Sequence, residues 1–480
     1  MSQLPADCLN EIFDYLEEDK FTLHSCLLVN RLWCGVSVRI LWKNVWNYKT
    51  LITCLPKESK EILYENKIIT TTLNSKTPLF DYTTFIKSLS IYNVHDMIKN
   101  ILQNYQSITP QNLNYKKYIV AREIYKFLMN KISSLRELYF YSYPIINVPN
   151  VTFTSYPGAK DCLKYLSKLS CRSDIYPEFF YQLSKICENL QSLSITFENI
   201  ISNGLIDLIS VQKNLKHLVI SCYNGEDITN IISSLSKLPN TIIKFDFLYN
   251  NGLRNISNFI FLPTITDKHL ELSFITKFTN LQELILSFDY NFEYFKELQY
   301  ASFPHLQVLK FNYSCPKYEL LIKFLENNGK NLKEFYVKNN GYLLNLAIAK
   351  FCPNLRKLFT IFRNDELETI KVIFNNCQYL ESIQAWCGGR YLNDKEILDI
   401  IVKYSPRNFY ELNIYYIWGA QPKILPEELE EFFINWNNRI PQKSFSFIIT
   451  KGSKCLKFMK ENIEVIEKYK KLGIIKKFKL

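Results

Sequence analysis

Glycine is scarce, at 12 of 480 residues, about 2.5% where roughly 7% is usual. Collagen-like and flexible-linker architectures are thereby excluded. The chain has neither G-x-G-x-x-G nor G-x-x-x-x-G-K-[ST], so nucleotide binding through a glycine-rich loop has no support. Cysteine numbers 13, an odd count, with no C-x-x-C and no zinc-finger spacing. Neither a disulfide framework nor a zinc module is specified. No apolar run approaches the length of a membrane-spanning helix, and the opening Met1-Ser2-Gln3-Leu4-Pro5-Ala6-Asp7 lacks the basic-then-apolar pattern of a leader. The reading is a cytoplasmic or nuclear protein with no membrane association. The five histidines (His24, His95, His217, His269, His305) are scattered, and none stands at a catalytic spacing from a nucleophile or carboxylate. No catalytic residue, metal site or cofactor is expected.

What the chain does have is an apolar fraction of 47% and a charged fraction of 22%, the composition of a folded protein with a sizeable core. The formal charge of +12 is unevenly spread: residues 1–46 carry −2, residues 451–480 carry +7, and the 404 positions between them carry the remaining +7. A dispersed excess with a solvated lysine-rich end fits a protein that does not bind nucleic acid.

Residues 1–46 differ from the rest. Leu4, Leu9, Ile12, Phe13 and Leu16 recur at intervals that place them on one helical face. After Glu17-Glu18-Asp19 a second run holds Phe21, Leu23, Cys26, Leu27 and Leu28, and a third extends from Arg31 through Trp33 to Trp42. Three short helices expose more apolar surface than they can cover among themselves, and chains of this size usually need a metal, disulfides or a partner. With the first two unsupported, burial against another protein is the economical answer.

Leu4-Pro5-x-x-Cys8-Leu9-x-x-Ile12-Phe13-x-Tyr15-Leu16, followed by Cys26-Leu27-Leu28-Val29-Asn30-Arg31-x-Trp33-Cys34 and Arg39-Ile40-Leu41-Trp42, resembles the F-box motif. The resemblance implies that Leu4, Pro5, Leu9, Ile12, Phe13, Leu16, Leu27, Leu28 and Trp33 dock on the Skp-family adaptor of a cullin-based ubiquitin ligase complex.

Beyond residue 80 the unit apolar-x-x-apolar-x-apolar recurs. Copies start at Ile86, Leu135, Leu163, Leu190, Leu215, Ile242, Leu281, Leu306, Leu332, Leu355, Leu380 and Phe409, and in the Leu163 copy the third apolar residue comes one position late. From Leu135 onward all but one of the intervals fall within the period of leucine-rich repeats, roughly 20–29 residues. The exception, from Ile242 to Leu281, is longer and implies an insertion near Tyr249-Asn250-Asn251-Gly252. The polar stretch 104–118 reads as a long loop. Third and fifth positions after each start share one face of a short strand and point into the core, while second, fourth and sixth positions point outward. Three apolar positions per copy give about 5–9 kcal/mol of burial, less than the cost of ordering some 25 residues. No copy folds alone, so stacking on neighbours is required. Cys187, Cys352 and Cys377, each three residues before a repeat leucine, fit small buried closures of the preceding helix.

The fold expected is α/β: a three-helix head over 1–46, a helical linker over 47–84, a leucine-rich-repeat solenoid of about 12 repeats over 85–450 with a strand-lined concave face and a helical convex face, and a basic capping helix or tail over 451–480. This pattern is similar to the leucine-rich repeats that follow the F-box in substrate receptors, which implies a protein target held by the repeats. On the outward strand positions of late repeats stand Tyr336, Phe359, Trp386 and Tyr415, the candidate target-binding residues. The competing reading is a leucine-rich-repeat interaction scaffold with no role in ubiquitination.

Overall fold

The structure, a computed structural model, describes residues 4–45, 47–69, 78–102, 110–141, 152–198, 200–223, 228–238, 240–250, 272–288, 293–338, 341–417, 420, 422–451 and 460–479. The chain divides into two compact units, Met1–Ile220 with Ser233–Pro239, and Ser221–Ile232 with Asn240–Leu480.

The first unit opens with three helices, α1 (Ala6–Asp14), α2 (Lys20–Cys26) and α3 (Arg31–Leu41). Their starts are set by residues suited to that position. Pro5 precedes α1, where its missing N–H costs nothing. Asp19 accepts from Thr22 N at 3.0 Å to start α2, and Asn30 accepts from Trp33 N at 2.9 Å to start α3. Leu9, Phe13, Leu23, Cys26, Val36, Leu41 and Trp42 form the core of the head. Helices α4 (Tyr48–Cys54) and α5 (Lys57–Glu65) follow, and Phe80, Tyr82 and Phe85 pack back on the head core, with Tyr82 4.5 Å from Trp42 between ring centroids. The head also meets the first repeat through its backbone: Lys43 O accepts from Lys87 N at 2.9 Å and Ser88 N at 3.0 Å, and Asn44 bridges Ser88 in parallel.

Two further helices follow, α6 (Ile91–Ile101) and α7 (Pro110–Lys131), and α7 corrects the reading of 104–118 as a loop. Residues 110–118 are helical, and 104–109 lie outside the described residues. The polar sequence misled because α7 buries polar groups with partners. The Lys116 amine donates to the Asn66 carbonyl, and Glu123 accepts from Ser59 Oγ at 2.9 Å.

The strands of the first unit are β1 (Ser88–Ser90), β2 (Glu137–Phe140), β3 (Lys168–Arg172), β4 (Ser192–Phe197) and β5 (His217–Tyr223), within which the division between the units falls. Those of the second are β6 (Lys244–Asn250), β7 (Glu283–Phe288), β8 (Val308–Tyr313), β9 (Glu334–Tyr336), β10 (Lys357–Phe359), β11 (Ser382–Cys387), β12 (Glu411–Tyr416), β13 (Phe445–Lys451) and β14 (Ile475–Lys479). Within each unit neighbours in sequence are neighbours in the sheet, and every described pairing of strands is parallel. Leu89, Leu138, Leu169 and Leu193 stand in register in the first unit. Phe245, Leu284, Leu309, Phe335, Leu358, Ile383, Leu412, Phe447 and Phe478 do so in the second. A strand and a helical or 3₁₀ return per repeat, with this column of apolar residues buried as far as Phe447 and Phe478 half-buried at its end, is the leucine-rich-repeat fold.

The register corrects one repeat. Leu169 aligns with Leu138 and Cys171 with Phe140, so this copy starts at Leu166, and Leu163 ends a short helix, Ala159–Leu163. Cysteine fills the place of a larger apolar residue at the fifth position. The asparagines before the repeat leucines are also explained. Asn214 donates to Asn189 Oδ1 at 2.7 Å, Asn331 to Pro304 O at 2.8 Å and Asn354 to Lys330 O at 2.8 Å, each tying its repeat to the one before. Cys187, Cys352 and Cys377 are the C-caps of their helices and are buried.

At the far end β13 appears where Ser444–Ile449 suggests a strand. The lysine-rich end, where the spacing of Leu456, Met459, Ile463 and Ile466 predicts a capping helix, is a helix (Lys460–Lys471) followed by a further parallel strand, β14; Leu456 and Met459 lie outside the described residues, as do 251–271 at the expected insertion. No described helix is long and apolar enough to cross a membrane.

Candidate protein-interaction sites

The head sorts its apolar residues into two sets. Leu9 and Phe13 lie in its own core, beneath the surface and not on it. Leu16, Leu27 and Trp33 are half-buried against that core, Trp33 edge-on to Phe13 at 5.1 Å. Leu4, Pro5, Ile12 and Leu28 are exposed, Leu28 at 81%. Tyr15, Phe21 and Val29 are exposed as well. Helical spacing marks these three as apolar but cannot say which face the neighbouring helices leave uncovered. The head therefore presents six large apolar side chains to solvent between Leu4 and Val29.

The second surface is the outward face of β8–β12. Tyr336 and Phe359 are partners in register with ring centroids 6.4 Å apart, and Trp386 and Tyr415 are partners at 5.0 Å. The four residues form two pairs and not one row, because the first pair stands at the fourth repeat position and the second at the sixth. Phe359 is largely covered, and the other three are partly exposed. Tyr391 joins the second pair edge-on to Trp386 at 5.3 Å. It returns there because Gly388 (φ +93°) and Gly389 (φ +62°) turn the chain through left-handed conformations; a Cβ at Gly388 would also stand 2.4 Å from Ala420 Cβ. The Trp386 indole N–H is buried without a hydrogen-bond partner among the described residues. Tyr92, an outward strand residue by repeat position, instead lies in α6, since Ser90 ends β1 and caps that helix. His217 is exposed at the outward start of β5, as its repeat position requires.

Electrostatics divide this face. Glu334 lies 3.4 Å from Lys310 Nζ and 2.9 Å from Lys357 Nζ. Burial alone would raise its carboxyl, but the two ammonium groups outweigh that and hold it below the usual range. Lys310 also sits 4.7 Å over the Tyr336 ring. At the C-terminal rim of these strands Lys338, Arg363, Arg390 and Lys423 are exposed. Arg363 pairs with Asp365 at 3.4 Å. The loops' other acids turn inward. Glu366 accepts from Asn345 Nδ2 at 2.9 Å, and Asp394 accepts from Tyr416 OH and Lys423 N, each at 2.8 Å. Burial raises both carboxyls. No group of His, Cys, Asp and Glu among the described residues is placed to hold a metal ion. His95 is buried beside Tyr125 within the first unit, and burial drives its imidazole down to about 4.

No family model matches the chain. A curated relative, the probable polyketide synthase 29 of Dictyostelium discoideum, is 24% identical over 278 residues, covering 53% of this chain and 9% of that protein. The chain thus spans less than a tenth of the length of that relative. Among solved structures, the yeast Rad7 and Elc1 complex is 14% identical with a TM-score of 0.39, covering 75% of this chain and 81% of that one. The leucine-rich repeat-containing protein LegL7 of Legionella pneumophila is 13% identical with a TM-score of 0.35, covering 66% and 96%. An internalin of Listeria monocytogenes is 11% identical with a TM-score of 0.33, covering 81% and 96%. The leucine-rich-repeat assignment rests on the strand register and burial of this chain itself.

Proposed function

We propose that this chain is the substrate-recognition subunit of an SCF-type ubiquitin ligase, its head docking on a Skp-family adaptor and its repeats holding a target protein. The observation that carries the reading is the uncovered apolar face of the head. Ile12 and Phe21 on the helices, and Leu4, Tyr15, Leu28 and Val29 in the turns beside them, are exposed, while the helices share a core on their other sides. Apolar area of this kind on a small helical head is stabilised by covering it with a partner. The F-box-like residues Leu4, Pro5, Ile12 and Leu28 all lie among the exposed set. Tyr336, Trp386 and Tyr415, the partly exposed aromatics of β9, β11 and β12, supply anchors for a target, with Phe359 largely covered beside Tyr336. In this reading the chain performs no bond-making itself; it raises the effective concentration of the target's lysines near a ubiquitin-loaded enzyme and orients them.

The test is co-purification of the adaptor with the full chain and with two variants. Leu28→Glu places a charge in the docking face at a position exposed in the free protein, so the variant folds normally and adaptor recovery falls at least about tenfold, since a desolvated, unpaired charge at an interface costs more than about 1.4 kcal/mol. Leu4→Ala/Pro5→Ala lowers recovery in the same direction. Undiminished recovery in both variants sinks the docking assignment and leaves the interaction-scaffold reading.

A further inference from the structure

We infer that the outward face of β9–β12 and the basic rim at its C-terminal edge bind an extended acidic protein segment with one large apolar anchor. The inference rests on reading this strand face as the target surface and adds the chemistry of what it holds.

The rim is where charge is left over. Four cations, Lys338, Arg363, Arg390 and Lys423, project from the loops that follow β9, β10, β11 and β12, and all are exposed. Only Arg363 has a carboxylate within ion-pair range, that of Asp365. Among the described residues none lies within such range of Lys338, Arg390 or Lys423. The same loops contain two more acids, but the fold consumes them. Glu366 is held by Asn345, and Asp394 by Tyr416 and the Lys423 backbone. With these carboxylates turned inward the exposed rim is positive. Arg390 is further positioned, its guanidinium 5.3 Å over the Tyr391 ring and donating to the Tyr391 hydroxyl at 3.2 Å.

The rim borders the aromatic patch. Trp386 and Tyr415 lie at the strand ends from which the loops depart, Tyr391 folds back onto Trp386 from the loop after β11, and two loops are laced together by Asn364 N donating to Arg390 O at 3.2 Å. Neighbouring parallel strands are about 4.8 Å apart, so the loops after β9 and β12 are separated by about 15 Å, which an extended segment covers in about five residues at roughly 3.3 Å each. Such a segment can lay one apolar side chain on the aromatics and alternate acids against the cations. A nucleic acid is disfavoured because Glu334 and Glu411 stand on the outward side of the same strands, and a phosphate at every step would meet them.

The experiment pans a phage library of random 12-residue peptides against the full chain, then measures the enriched peptides as synthetic fluorescent copies by anisotropy. Enriched sequences combine several acidic residues with a Trp, Phe or Leu. Their affinity falls at least about tenfold in Lys338→Glu/Arg390→Glu/Lys423→Glu and by a smaller factor in the matching triple Gln variant. All three positions are exposed, and circular dichroism confirms the fold. Enrichment of neutral or basic peptides, no enrichment, or unchanged affinity in the charge-reversed variant overturns the inference. So does a single-stranded dT oligonucleotide whose binding the same reversal abolishes. Adaptor recovery from the same preparations separates the two proposals: peptide binding without adaptor recovery sinks the ligase reading alone, and adaptor recovery without acidic peptides sinks this inference alone.

Discussion

Asn345→Leu keeps the γ-branched shape of a fully buried side chain but removes three hydrogen bonds at once. Asn345 Nδ2 donates to Glu366 Oε2 at 2.9 Å and to Ile361 O at 3.2 Å, and Asn345 Oδ1 accepts from Thr360 Oγ1 at 2.9 Å. Asn345, Thr360 and Glu366 are at most 3% exposed, so water does not replace the lost partners. Each stranded group costs about 1–3 kcal/mol, and the leucine returns about 1.5–3 kcal/mol of apolar burial. The net loss is about 2–5 kcal/mol. Losing the Asn345 donor moves the Glu366 carboxyl further in the direction that burial already pushes it, upward. Urea unfolding followed by circular dichroism reads the loss, and native-state amide exchange locates it in β10, β11 and the rim loop between Ile361 and Glu366. Thr360→Val alone removes one donor and costs about 1 kcal/mol. The triple variant Asn345→Leu/Thr360→Val/Glu366→Leu recovers part of the loss, because the carboxylate and the hydroxyl are gone and the Ile361 carbonyl alone still lacks the Asn345 donor. An Asn345→Leu cost below about 1 kcal/mol, or a triple variant as unstable as the summed singles, refutes the reasoning.

Three other outcomes follow from the packing. Gly204→Ala places a Cβ 2.4 Å from Pro177 O and 3.1 Å from Phe180 Cβ, so two repeat helices must part at a cost of about 1–3 kcal/mol; an unshifted thermal melt contradicts this. Glu334 is held below its ordinary 4.5 in the folded state, so its two ion pairs add stability above that pH that is lost as pH falls through the folded value. Glu334→Gln shrinks the acid-side loss by less than about 1 kcal/mol, the pairs being partly solvated, and an enlarged loss in pH-dependent urea titrations contradicts the sign. Burial pushes the Cys187 and Cys377 thiols up to about 12, so native iodoacetamide treatment at mild alkaline pH leaves both unlabelled by mass spectrometry until denaturant is added; rapid native labelling contradicts their closure role.

The repeat leucines were legible because their period is the period of burial: Leu138, Leu193, Leu284, Leu309 and Leu412 are all fully buried where the spacing puts them. The head helices were legible for the same reason, whereas the caps Asp19 and Asn30 became evident only from their hydrogen bonds to Thr22 and Trp33. Frame was harder to read. Leu163 and Leu166 are both buried, and only the pairing of Cys171 with Phe140 decides between them. The first turns of α7 read as a loop because they are polar, and Lys116, which sequence assigns to solvent, is buried and paired. Strand β14 was missed because Lys476, Lys477 and Lys479 make it resemble a tail, although lysine is compatible with a strand at a sheet edge. The Asn345 network and the inward turn of Glu366 and Asp394, which leave the rim positive, depend on contacts 15 to 29 residues apart that no local pattern encodes.

The backbone link between the head and the first repeat bears on how this chain can be cut. Lys43 and Asn44 occupy, for β1, the place that each strand occupies for the next, and Trp42 with Tyr82 closes the core at that end. The head thus seals the array as well as carrying its candidate docking face. Deleting residues 1–46 would strip β1 of its neighbour and bare Tyr82 and Phe85, giving a sticky truncation whose captured proteins report on exposed core. A target trap is better built on the intact chain with Leu28→Glu, which leaves that seal in place while disabling the surface above it.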